Sequence, residues 1–533
     1  MKKVSLAALL LACMTFVGCN GLLPMQSSTP QASTPNASTP ADSTPGDTTP
    51  DDSTPDNSTP DDSTPDDGGL DGACVHADND KDTICDECGG SVVVTLDFYA
   101  VNDLHGKLTA NDSQPGVGGL TTYLKEAKSK NPNTVLLSSG DMWQGGSESN
   151  LTRGMIVNDW MSEMDFVSMT LGNHEFDWGT SYIAQNAAAS EFAYLAINVY
   201  EHATNSRAPY CQPSVMIERG GAKIGVIGAI GDCYSSISSD KVKDVYFKTG
   251  NELTNLVKAE ANRLKAAGAD CIVYSIHDGT SGYDNSLSNG YVDVVFEGHT
   301  HSRYVSQDTY GVYHLQGGGE NRNISHATLN VNVVENSVVT KTAETISNYV
   351  YGEKANDPLL QSLLNKYKDQ IALGTQLLGY NARYRDDSEL EQLVAELYLK
   401  AGLERWGSQY NIVLGGGFLR TRSPYNLAVG NVLYSDVQTL FTFDNPLVLC
   451  KISGHKLKTK FIQTTSEDYY VSYSQYGQTV KNSIDTNAIY YVVVDSYTSQ
   501  YTSNGLTEIA RYDETTFARD LLADYIRAGG LAT

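Results

Sequence analysis

Beyond residue 18 the sequence has no apolar run long enough to cross a bilayer, so no membrane-spanning helix is expected past the amino-terminal segment. Basic residues are also scarce: 37 Lys and Arg stand against 63 Asp and Glu, a net charge of −26. That balance argues against a nucleic-acid polymer as partner, because such a polyanion is held by clustered Lys and Arg. Much of the negative charge lies between Asp42 and Asp86, so it says little about any site further along. An acidic protein still binds an anion where metal ions and arginines reverse the local field. Paired cysteine is short as well. Nine are present, and setting aside Cys13 and Cys19 leaves seven, an odd number that cannot all pair within one chain. Cys74, Cys85 and Cys88 cluster, whereas Cys211, Cys233, Cys271 and Cys450 are scattered. A Cys211–Cys233 disulfide would suit an oxidising compartment, and spacing leaves it open.

What is present divides the chain. Residues 1–19 begin "MKKVSLAALLLACMTFVG", two lysines, an apolar run and small residues before Cys19. This reads as a secretory signal, too short and too early for a stable span. Its ending "FVGC" resembles the bacterial lipoprotein cleavage site, which implies a lipid anchor on Cys19 and no other membrane contact; a plain secreted protein is the alternative. Residues 20–72 contain a five-residue repeat with Pro at every fifth position from 30 to 65. With nothing apolar to bury, such a segment cannot offset its ordering entropy. It reads as an extended stalk, reaching on the order of 100 Å at roughly 3.1 Å per residue. Residues 73–91 hold "CVHADNDKDTICDECGG". Cys74, His76, Cys85 and Cys88 are the ligand types of a small zinc site. Asp78, Asp80 and Asp82 alternate as calcium-loop ligands do, although Thr83 and Gly89 stand where that loop needs Gly and Glu. A structural zinc or calcium at 74–88 and a disulfide all remain open.

From 92 to 345 the pattern is α/β. Short β-rich runs such as "NTVLLSSGD", "FVSMTLGN", "DCIVYSIHD" and "VDVVFEGHTH" end in polar turns and alternate with helical stretches such as "ELTNLVKAEANRLKAAG". Residues 357–372 read as one amphipathic helix within a linker, 346–374, leading to a second mixed domain, 375–533.

Nearly every one of these strands ends in a metal-ligand residue: Asp103 and His105, Asp141, Asn173 and His174, His277, then His299 and His301. Taken alone, Asp-x-His reads as a turn cap beside a surface histidine. Five such turns in order are hard to ascribe to chance, because an α/β sheet gathers the carboxyl ends of its strands along one edge. Two aspartates, an asparagine and four histidines would suit two divalent ions of the zinc, manganese or iron type. One carboxylate can bridge ions roughly 3.5–4 Å apart, and a water between them becomes a nucleophile near pH about 7. His174, oriented by Asp177, fits the task of meeting charge on a leaving oxygen.

"VNDLHG", "GDMWQGG", "GNHEFDWG", "SIHDG" and "GHTH" resemble the five blocks of calcineurin-like metallophosphoesterases, and "GNHEFDWG" with the domain that follows resembles their secreted 5′-nucleotidase branch, over about residues 95–530. The resemblance implies a four-layer α/β-β/α sandwich plus a second, mixed α+β substrate-binding domain. It implies that Asp103, His105 and His301 bind one metal, that Asn173, His277 and His299 bind the other, and that Asp141 bridges. His174 and Asp177 match the catalytic pair. In the second domain "GGGFLRT" is similar to a phosphate-binding Gly-rich turn, placing Arg420 on substrate, with Gly415 where some members have Asn. "YSDVQTLFTFDNPL" offers Phe443 for base stacking. The loop "YTSNGLTEI" offers Tyr501 and lacks the usual acidic residue, and "YNARYRDDSEL" offers Arg383 and Arg385 for a further anion contact. Core packing is the competing reading of the aromatics. The function implied is an extracellular two-metal phosphohydrolase releasing phosphate from nucleotides by attack of a metal-bound hydroxide. The alternatives are a 2′,3′-cyclic-nucleotide phosphodiesterase or UDP-sugar hydrolase on the same scaffold, or a surface binding protein with a vestigial phosphatase fold.

Overall fold

Strand Val93–Val101 shows how the first part of the molecule is built. Successive strand residues face opposite sides. Val94, Leu96, Phe98 and Ala100 point into one buried cluster, while Tyr99 and Val101 point into another. A strand buried on both faces belongs at the centre of a layered α/β structure. In the computed structural model, which describes residues 74–532 apart from 112–113, 280–281 and 513–514, that is its place. The signal segment with Cys19 and the stalk lie outside the described residues.

Two six-stranded sheets pack face to face. The first runs in the order Ser337–Ser347, Asn323–Asn332, Val93–Val101, Thr134–Ser138, Phe166–Thr170, Ala193–Leu195; its last four strands are parallel. The second runs Arg303–Gln307, Tyr313–Gly317, Val294–Glu297, Cys271–His277, Ala222–Ile230, Ser214–Arg219, with four parallel strands at its centre. Phe98, Val135 and Leu137 from one sheet meet Val226, Val273 and Phe296 from the other. Helices Gly118–Lys130 and Met155–Glu163 cover the outer face of the first sheet with Leu120, Leu124, Ile156 and Trp160. Helix Asn251–Ala266 covers the second with Leu253, Val257, Ala261 and Leu264, one stripe at helical spacing. The result is the expected four-layer α/β-β/α sandwich.

The segment 357–372 is two helices, Pro358–Lys366 and Lys368–Ile371, broken at Tyr367. Tyr367 is buried against the first part, and its hydroxyl donates to Asp159 (2.7 Å), so the chain bends there to keep that ring down. The second part has its own core around a five-stranded sheet, ordered Tyr469–Tyr473, Ile412–Phe418, Ile489–Asp495, Leu447–Ser453, Leu506–Arg511, with helix Asp387–Trp406 packed on one face and helix Ala518–Arg527 packed against that helix. The "GGG" expected as a phosphate-binding turn lies inside strand Ile412–Phe418. A Cβ on Gly415 would stand 2.3 Å from the Leu399 amide nitrogen of the covering helix, and Gly416, at φ 129°, would clash with the Tyr470 carbonyl. These glycines admit a helix and a neighbouring strand.

Cys211 and Cys233 form no disulfide. The Cys211 thiol donates to the carbonyls of Ala196 and Ala208, and the Cys233 thiol to that of His277. Among the described residues, no helix is long and apolar enough to cross a membrane.

Candidate active site

The ends of the parallel strands of both sheets meet along one edge. Asp103 and His105 follow Val93–Val101, Asp141 follows Thr134–Ser138, and Asn173 and His174 open the turn after Phe166–Thr170. From the second sheet, His277 ends Cys271–His277, and His299 and His301 follow Val294–Glu297. Asp103, His105, Asp141, His299 and His301 all have left-handed backbones, with φ between 49° and 71°. Non-glycine residues rarely adopt that region, and such strain clusters where surrounding structure enforces a functional geometry. The enforcement is visible. Amides of Asp141, Met142, Trp143 and Gly172 all donate to the buried Glu175 carboxylate (2.7–3.3 Å), tying two of the turns together. Burial, then the charge on Asp141, raises Glu175 to about 7.

Three groups of side chains bring their ligand atoms within 4.8 Å of one another: Asp103, His105 and His301; Asp141, His277 and His299; and His105, Asp141 and His174. Asn173 joins the second, its Oδ1 lying 2.8 Å from His299 Nδ1 and 3.2 Å from His277 Nε2. The donor set fits cations. His105 Nδ1 faces the Gln144 carbonyl at 2.9 Å and His277 Nδ1 faces that of Ser139 at 2.7 Å. Those contacts place the ring proton on Nδ1 and aim the Nε2 lone pair into the site. His105 Nε2 and His301 Nε2 then meet at 2.9 Å, close enough for one cation to take both. Burial, reinforced by His301 and Arg422, holds His105 well below its ordinary pKa and keeps the ring neutral. Burial would also lower His277, but the Asp141 carboxylate, 3.1 Å away, outweighs it and lifts the ring to about 10. A cation at that nitrogen would replace the proton.

Beside this cluster His174 Nδ1 lies 2.7 Å from Asp177 Oδ2, and its backbone amide donates to Asp141 Oδ1 (2.8 Å). Burial opposes charge on His174, yet Asp177 and Asp141 outweigh it and raise its pKa. The cluster forms one wall of a cavity of about 520 Å³, and the second part of the molecule supplies the facing wall.

Arg420 and Phe443, the residues the sequence offers for substrate contact, line that wall. The Phe443 ring stacks near His174, with centroids 5.6 Å apart. Arg383, Arg385 and Tyr501 do not line the cavity. Arg383 pairs with Glu389 (2.7 Å), Arg385 donates to Asn381 Oδ1, and Tyr501 stands behind Tyr497 with their hydroxyls 2.6 Å apart. The lining residues not anticipated include Arg422, whose guanidinium lies 5.6 Å from the Phe443 ring, Phe418 and Tyr497. Arg-x-Arg spacing in an extended segment was a usable signal for Arg422, since alternate residues share a side.

Residues 96–303 match the calcineurin-like phosphoesterase family. Protein UshA of Yersinia enterocolitica is 25% identical over 416 residues, which is 67% of this chain and 74% of the relative. A probable 5′-nucleotidase of Treponema pallidum is 25% identical over 447 residues, covering 68% and 74%. A 5′-nucleotidase precursor from Thermus thermophilus has the same fold, with a TM-score of 0.63 at 18% identity over 82% of this chain and 96% of that one. Residues 96–303 are thus a calcineurin-like phosphoesterase domain, which makes the chain a metal-dependent phosphoester hydrolase, and about two thirds of it is similar to 5′-nucleotidases.

Proposed function

We propose that the protein is an extracellular two-metal phosphohydrolase that releases phosphate from nucleotides. The observation that carries this reading is the cavity itself, with Asp141, Asn173, His299, His301 and the His174–Asp177 pair on one wall, the other ligand-type side chains clustered with them, and Arg420, Arg422 and Phe443 on the facing wall. Asp103, His105 and His301 would hold one ion and Asn173, His277 and His299 the other, with Asp141 between them. Bound there, divalent ions supply a deprotonated water near neutral pH and neutralise charge on phosphoryl oxygens. The protein's own groups do the rest. Arg420 and Arg422 hold the anionic end of the substrate opposite the metals. Phe443, with Phe418 and Tyr497 nearby, offers faces on which a base can stack. His174 keeps Nδ1 on Asp177, which leaves Nε2 free to donate a proton toward the phosphoryl or leaving oxygen. Its raised pKa favours the protonated ring that this role needs. The amino-terminal segment 1–19 supports export.

The test is hydrolysis of AMP, ATP, UDP-glucose and 2′,3′-cyclic AMP by the purified protein, with manganese, zinc or a chelator, resolving nucleoside, nucleotide and phosphate products. Fast, metal-dependent release from AMP is expected. A preference for the cyclic ester or the nucleotide sugar would keep the metal site and reassign the facing wall. Tight nucleotide binding with no turnover at full metal loading would overturn the enzymatic reading.

A further inference from the structure

Between the stalk and the first strand, residues 74–90 can bury almost nothing: only Asp78 and Cys85 in that stretch are buried, and Val75 is 90% exposed. A segment so poor in core needs another source of stability. Three thiols and an imidazole converge inside it. The ligand atoms of Cys74, His76, Cys85 and Cys88 all lie within 4.8 Å of one another. The Cys74 and Cys85 sulfurs are 3.7 Å apart, and Cys88 Sγ is 3.6 Å from His76 Nδ1. From this geometry we propose that Cys74, His76, Cys85 and Cys88 form a closed, structural zinc site.

The distances discriminate. A tetrahedral zinc with Zn–S of about 2.3 Å and Zn–N of about 2.0–2.1 Å sets its ligands about 3.8 Å apart for S···S and about 3.6 Å for S···N. A disulfide would bring two sulfurs to about 2.05 Å, and three cysteines would leave one over. The backbone agrees. Cys85-x-x-Cys88 is a tight turn in which Gly89 N donates to Cys85 O and Cys85 N donates to Gly90 O, each at 2.8 Å. With four protein ligands there is no open position for substrate, which marks a structural site. The aspartates spaced like calcium ligands bring their carboxylates within 4.8 Å of one another and also shape the loop between His76 and Cys85. Asp78 Oδ2 accepts from Thr83 N (3.2 Å), Asp80 Oδ1 from Asp82 N (3.3 Å) and Asp82 Oδ1 from Ile84 N (2.8 Å). The loop is in turn fastened to the sandwich. Val92 N donates to Thr83 O (3.0 Å), and Lys81 pairs with Glu335 at 2.7 Å. The next residue starts strand Val93–Val101, whose far end carries Asp103 and His105. Zinc would therefore clamp the chain where it enters the catalytic sheet.

The candidate active site contains no cysteine ligand, so sulfur coordination reports on this module alone. The experiment loads the whole purified protein with cobalt(II) and compares it with Cys85→Ser/Cys88→Ser. Native protein should show thiolate-to-cobalt charge-transfer absorption and the intense visible bands of a tetrahedral ion, and the variant should lose both. Zinc content should fall by one ion per chain in the variant while metal-dependent phosphate release persists. In the native protein zinc should protect Cys74, Cys85 and Cys88 from alkylation, and a chelator should expose all three. Absence of sulfur-to-cobalt bands in the native protein, or two of the three thiols locked in a disulfide under non-reducing mass analysis, would overturn the proposal. Loss of phosphate release with the sulfur bands intact would count against the active-site reading and leave this one standing.

Discussion

His174 is held from both ends, by Asp177 through its ring and by Asp141 through its amide, yet seven other ligand-type side chains surround the proposed metals. Replacing it with Ala should lower turnover of AMP by about 10²–10⁴-fold, the usual contribution of a positioned acid or base. Metal content, measured by elemental analysis, should be unchanged. Equal turnover would remove the role. At the facing wall the test is comparative. Tyr497→Ala strips a lining ring and should raise KM for AMP by an amount worth about 1–3 kcal/mol if the base stacks there. Tyr501→Ala removes a ring behind it and should do less, and the reverse order of effects would restore the reading from sequence. The metal-type residues were legible because chemistry and position coincided, each being a coordinating residue where a β-rich run stops. Tyr501 does not line the cavity; loop position says nothing about rotation. The short helix Ser496–Gln500 turns Tyr497 into the cavity and leaves Tyr501 behind it. Glu175 was passed over because an isolated acidic side chain usually reads as exposed, whereas here it is buried and accepts four backbone amides.

Among the elements, the strands were legible from their alternation, and the segments that escaped are those whose form depends on what lies across from them. "GGG" reads as a loop until helix Asp387–Trp406 is packed against it, and the helix at 357–372 reads as continuous until Tyr367 is pulled into a core. A cross-strand cluster on the first sheet shows the same dependence. His326, opposite Tyr99 on one side and Glu344 on the other, stacks on the Tyr99 ring at 4.3 Å. Its Nε2 lies 3.0 Å from Asp97 Oδ1 and its Nδ1 lies 3.1 Å from Glu344. Burial disfavours its charge, but hydrogen bonds to Asp97 and Glu344 outweigh this and raise its pKa above 6.5. The hydrogen bond from His326 is the largest cause bringing Asp97 down from 3.8 to about 2. A raised histidine stabilises fully below 6.5 and loses that contribution as pH climbs through its folded value. A lowered carboxylate stabilises fully above 3.8 and loses it as pH falls toward about 2. The cluster therefore contributes most between those two ordinary values. His326→Gln should lower unfolding stability by about 1 kcal/mol near pH 5 and by distinctly less near pH 9, as denaturant titration at both pH values would show.

At the scale of the molecule, the cavity exists only because two separately cored parts are held face to face, and one buried carboxylate takes part in that holding. Asp444, 8% exposed, takes Arg153 from the first part at 2.8 Å and Arg519 from the second. Arg153 also lies 5.3 Å from the Trp178 ring, one residue after Asp177, and Arg519 donates to the carbonyl of Phe443 (3.2 Å). This buried charge is thus one link between the two walls of the active site. Burial would raise the Asp444 pKa, but the two guanidiniums outweigh it and hold it below 3.8. Its stabilisation is therefore complete above that value and lost as pH falls through the lower folded one. Replacing it with Asn preserves shape and leaves two arginines without their counter-charge, one of them almost fully buried, a loss of about 3–5 kcal/mol where a buried pair is broken. Asp444→Asn should lower the midpoint of thermal unfolding at pH 7, with the gap to the parent closing in acid. Because the same carboxylate steadies the Phe443 segment, KM for AMP should rise while metal content stays intact. A variant with unchanged unfolding and unchanged KM would mean that the two parts are held by their other contacts, such as Gln144 and Asn150 on Thr442, and that Asp444 is a passenger at the seam.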